Sequence, residues 1–123
     1  MSDQNTALFP ACFRVSRDNI GGEIATFTWV INAVQKTVSG SGKLTQSIDP
    51  PTDITVGMTG SYVEKDGEIN IHAAGASYGA SLQVDLRLMR WAGPAEAVSL
   101  RWLANNHYFS DENVPAKSID CFG

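Results

Sequence analysis
Few residues of this chain could do chemistry: His72 and His107 are its only histidines, and Cys12 and Cys121 its only cysteines. Nucleophilic catalysis needs a base beside a serine or cysteine and a third group to orient it. Ser77 or Ser81 with His72 and Asp85 would supply such a set, as would Cys121 with His107, yet no Gly-x-Ser-x-Gly elbow marks either one. An enzyme would therefore carry an unmarked site around His72, Asp85 and Tyr78. A zinc centre needs ligands at close spacing. The two histidines lack it, and His107, Asp111 and Glu112 could ligate only from a loop. No metal and no cofactor is expected. Ser39-Gly40-Ser41-Gly42-Lys43 invites a phosphate-loop reading, but that motif needs glycine where Thr37 stands, Ser or Thr where Leu44 stands, and a helix to follow.

A second kind of chemistry is recognition. Trp91, Asn105, Asn106, His107 and Tyr108 are the residue types that stack on a sugar or another flat ligand while hydrogen-bonding its rim. Core packing is the competing reading for such aromatics, and Trp102 suits it. The favoured function is thus a small binding module with a ligand or partner at this patch. The alternatives are a structural or homo-oligomeric interaction protein, and an enzyme at the unmarked site.

The elements that must position these residues are strands. Side chains alternate across a strand, and Phe9, Ala11, Phe13 and Val15 share one parity over 8–16. In 24–33, Ala25, Phe27, Trp29 and Ile31 oppose Ile24, Thr26, Thr28 and Val30, so both faces look apolar and the strand reads as central or covered on two sides. Over 36–48, Val38, Gly40, Gly42 and Leu44 face a wholly polar parity, and Asp49-Pro50-Pro51 then stops the ladder. Asp66-Gly67 is the strongest hairpin signal. In 81–90, Leu82, Val84, Leu86 and Leu88 point in while Gln83, Asp85 and Arg87 point out, the latter two solvated and pairing with neighbouring strands. After Gly93-Pro94, Val98, Leu100 and Trp102 read as the inner face of a long strand ending at Asn105-Asn106. The expected fold is all-β: one antiparallel up-and-down barrel or sandwich of seven to eight strands over 1–123, with 1–7 and 111–123 as flexible tails. The strand glycines, which mark bends and bulges, favour the barrel.

The stretch 36–64 also carries a resemblance. Thr37-Val38-Ser39-Gly40-Ser41-Gly42-Lys43-Leu44-Thr45-Gln46, Pro50-Pro51 and Thr59-Gly60-Ser61-Tyr62 are similar to an uncharacterised bacterial domain-of-unknown-function family. These are turn and strand motifs, and the resemblance implies no activity.

Composition excludes more than it assigns. With 9 basic and 13 acidic residues the net charge is −4, and no Lys/Arg cluster exists to neutralise phosphates or an anionic membrane surface. Neither nucleic acid nor membrane is expected as a partner. MSDQNTALFP has no basic and apolar signal regions, so the compartment is cytoplasmic by default, although export without a classical signal fits the same residues. Cys12 and Cys121 sit near opposite ends of the chain: in an oxidising compartment a disulfide between them would staple the termini, whereas in the cytoplasm, the favoured reading, they would remain two reduced thiols.

Overall fold
A computed structural model of the chain describes residues 8–17, 22–46, 52–91, 93–104 and 106–121. Eight strands follow in order: β1 (Leu8–Ser16), β2 (Ile24–Asn32), β3 (Thr37–Gln46), β4 (Thr52–Lys65), β5 (Glu68–Ser77), β6 (Ala80–Leu88), β7 (Pro94–Ala104) and β8 (His107–Ile119). Each pairs antiparallel with the next, and β8 returns to β1, closing an up-and-down barrel. The turns carry the chemistry that the hairpins demand. Asp66 and Gly67 both have positive φ (55° and 81°), the condition for a tight primed turn. Gly79 and Asn106 take φ of 67° and 65° in the β5–β6 and β7–β8 turns. The Asn32 carboxamide oxygen accepts from the backbone N–H groups of Val34 and Gln35, folding the β2–β3 turn. The 18–21 part of the first turn and Asp49-Pro50-Pro51 lie outside the described residues.

An eight-stranded barrel has an interior just wide enough for side chains to fill. Here Phe13, Phe27, Trp29, Met58, Leu86 and Leu100 fill it, all at most 2% exposed. Outward positions such as Thr28, Ser39, Lys43 and Arg87 are polar and exposed. That is the reverse of the alternation in a membrane-spanning barrel, and among the described residues no helix is long and apolar enough to cross a membrane. Two strand glycines let the neighbouring strand's backbone pass this close. A Cβ on Gly60 would stand 1.9 Å from the His72 carbonyl oxygen, and one on Gly40 2.2 Å from that of Thr28.

Several expectations change. β2 lies between β1 and β3, but its outer face is not covered: Val30 is 45% exposed. On β7 a bulge against β6 shifts the register between Asp85 and Leu86, so Asp85 opposes Ser99 while Leu86 opposes Ala97. Ala97 therefore takes the buried position and Val98 turns outward, while Leu100 and Trp102 remain inside. Residues 111–119, read as tail, continue β8, with Val114 fully buried.

Cys12 and Cys121 are not free thiols but a disulfide, S–S 2.03 Å. Their sequence separation hides the reason. Barrel closure lays β8 beside β1, with Ile119 opposite Cys12, so the first and last strands meet. This seam is the shortest ladder in the barrel, 12–15 against 116–119. Among the described residues, no strand pairs with 107–115 on the side away from β7. Arg17 occupies part of that edge: its Nε and Nη2 each donate to an Asp111 oxygen at 2.9 Å, and Nη2 also donates to the Glu112 carbonyl at 2.7 Å. With Asn113 at φ 56° and Pro115 in the strand, the edge is blunted against further pairing.

Candidate functional site
Consecutive turns of an up-and-down barrel lie at opposite ends, and this divides the aromatic patch expected from sequence. Trp91 sits in the β6–β7 turn at one end, and Asn106, His107 and Tyr108 begin β8 at the other. Asn105 lies outside the described residues. The structure does not bring Trp91 together with the rest. Trp91 is half-buried, packing edge-on against Phe9 (ring centroids 5.2 Å apart) and Tyr62 (5.0 Å), and so closes its end of the core. Lys36 lies 5.4 Å over the Tyr62 ring and donates to Glu64 at 2.7 Å. Burial raises the Tyr62 phenol above its ordinary pKa, against the opposing charge of Lys36.

The other end gathers exposed rings that the sequence did not single out together. β6 pairs with β7 up to Ser81 opposite Leu103, and β7 with β8 at Leu103 opposite Tyr108. The β5–β6 and β7–β8 turns therefore stand side by side. Tyr78 is fully exposed at the first, and Tyr108 is 66% exposed at the second, beside exposed Asn106 and His107. Phe109 stacks on Trp102 at a centroid distance of 5.2 Å and an interplanar angle of 22°, giving the hairpin a rigid aromatic base. Tyr78, expected next to His72, belongs to this end instead.

A second cluster lies on the outer face of β4–β7. His72 on β5 is directly opposite Asp85 on β6, which is opposite Ser99 on β7. Asp85 Oδ1 is 2.5 Å from His72 Nδ1, and Ser99 Oγ donates to Oδ2 at 2.6 Å. Partial burial pushes the Asp85 carboxyl up, but the hydrogen bonds from Ser99 and His72 and the charges of His72 and Arg101 outweigh it and hold the group below its ordinary pKa. Neither Ser77 nor Ser81 joins this pair. The β7 bulge brings Ser99 instead, and the β4–β5 register sets Ser61 opposite His72. Arg87, on the same face, pairs with Glu96 at 2.5 Å, the solvated cross-strand pairing expected for it. Shared outward parity of His72 and Asp85 was the one sequence signal for this row; both serines depend on register.

Asp111, which with His107 and Glu112 could have ligated a metal only from a loop, has both carboxylate oxygens on Arg17. The Arg17 hydrogen bond, against an opposing effect of burial, holds its carboxyl below the ordinary pKa. Comparison with curated proteins finds no match. A family model described as Domain of unknown function (DUF1842) matches residues 6–99, from β1 into β7 and across the whole glycine-rich stretch, and the chain belongs to that family.

Proposed function
We propose that the protein is a small binding module that recognises a saccharide on the outside of a filled barrel, at the end bearing Tyr78, Asn106, His107 and Tyr108. The observation that carries this reading is the placement of Tyr78 and Tyr108, both well exposed, on two adjacent turns beside Asn106 and His107. Exposed tyrosine rings offer rigid apolar faces to the C–H face of a sugar, and amide and imidazole groups hydrogen-bond its hydroxyls. Filled interiors leave recognition to surfaces. The lack of any Lys/Arg cluster supports a neutral ligand over nucleic acid. A disulfide between the first and last strands supports work in an oxidising compartment rather than the cytoplasm.

Isothermal titration against a panel of neutral mono- and oligosaccharides tests the reading. Saturable binding that Tyr78→Ala and Tyr108→Ala each weaken about tenfold or more, a loss of about 1.4 kcal/mol, supports it. Heat silence across the panel, or binding unchanged in both variants, refutes it.

A further inference from the structure
The row on the outer face contains one more partner than its hydrogen bonds join. It runs Ser61 on β4, His72 on β5, Asp85 on β6 and Ser99 on β7, each directly opposite the next. An ionised carboxylate can only accept. His72 Nδ1 therefore donates to Asp85 Oδ1, which leaves Nε2 outside that hydrogen bond. Directly opposed strand residues have Cβ atoms about 4.5–5.5 Å apart, so Ser61 and the His72 ring share one face at side-chain reach. Ser61, Asn70, His72 and Asp85 all line a single open depression of about 330 Å³, walled by Val63 and Val98. Asp85 has both oxygens engaged, by His72 and by Ser99. This fixes the carboxylate that in turn fixes the imidazole, the relation that a nucleophile–base pair requires.

We propose that this row is a hydrolytic site for esters of small apolar acyl groups, with Ser61 as nucleophile, His72 as general base and Asp85 as the positioning carboxylate. Ser61 Oγ attacks the ester carbonyl carbon while its proton passes to His72 Nε2. The Asn70 carboxamide N–H stabilises the resulting oxyanion. As the tetrahedral species collapses, the ester C–O bond breaks and the alcohol leaves with the proton from His72. Water, deprotonated by the same nitrogen, then attacks the acyl-Ser61 carbonyl, releasing the carboxylic acid and restoring the serine hydroxyl. Val63 and Val98 face the acyl chain. The site lies on the side of the barrel, away from the tyrosine end, and does not rest on the saccharide reading.

The test is covalent labelling of the whole protein with an alkyl fluorophosphonate, the adduct located by peptide mass spectrometry. The expected result is one adduct, on Ser61, whose rate of formation falls about 100-fold in His72→Ala and at least about tenfold in Asp85→Asn. All three side chains are outward and more than a third exposed, and an unchanged far-UV circular dichroism spectrum in each variant verifies the fold. No adduct, an adduct on another residue, or a Ser61 adduct insensitive to both variants overturns the proposal. Saccharide binding is unaffected by any of these outcomes, so the two readings fail separately.

Discussion
Trp91 shows how one side chain's role follows from what its ring touches. Two edge-on contacts, to Phe9 and Tyr62, engage it at the barrel end. Each such aromatic pair is worth about 0.5–1.5 kcal/mol beyond the area buried. Trp91→Ala should therefore lower unfolding stability by about 3 kcal/mol and leave saccharide affinity unchanged; denaturant titration and calorimetry measure the two separately. Asp111 acts through charge. Its folded-state pKa is depressed, so its contribution to stability is present above the unfolded carboxylate pKa of about 3.9 and is lost as pH falls through the lower folded value. Asp85 has the same sign. Asp111→Asn should destabilise the protein near pH 7 and flatten the fall in stability between pH 4 and more acidic conditions. Equal pH slopes for variant and wild type in urea unfolding would contradict the Arg17 clamp.

At the scale of elements, the seam between β1 and β8 is where closure is weakest in hydrogen bonds and strongest in covalent terms. The Cys12–Cys121 bond spans 109 residues. Loop-entropy arguments assign a cross-link of that span about 4–5 kcal/mol, and native disulfides typically contribute about 2–5. Reduction, or the paired change Cys12→Ser with Cys121→Ser, should lower stability within that range. Amide exchange should accelerate first in β1 and β8; uniform acceleration across all eight strands would show that the seam is not the weak point. The strands themselves were legible. Val38/Leu44 and Leu82/Val84/Leu86/Leu88 alternate as an inward face must, and both runs are buried in β3 and β6. The β7 bulge was not, because inserting Val98 against β6 depends on a partner strand that no single run of residues encodes. Alternation through Val98, Leu100 and Trp102 read straight across it. The disulfide stayed the less favoured alternative for a similar reason: two cysteines at opposite ends of the chain become neighbours only once the barrel closes.

The whole molecule explains why the candidate site was half legible. Asn106, His107 and Tyr108 are contiguous and stayed together, whereas Trp91 is separated from them by β7. Eleven residues span about 35 Å along the strand, from one end of the barrel to the other. Tyr78 joined the group because the turns at one end of a meander come from alternate hairpins, an adjacency visible only with the topology in hand. A core of interlocking aromatic and aliphatic side chains, an outer surface of alternating polar residues, and aromatic rings exposed at one end describe a scaffold that presents groups outward. The most direct measurement of that claim is amide chemical-shift mapping of the isotope-labelled protein during titration with the neutral saccharide panel. Saturable shifts confined to Tyr78, Gly79 and residues 106–109, with Trp91 and the inward residues of β2 unmoved, are what the account predicts. Shifts centred on the Trp91 end or on interior residues, or none with any sugar, would contradict it.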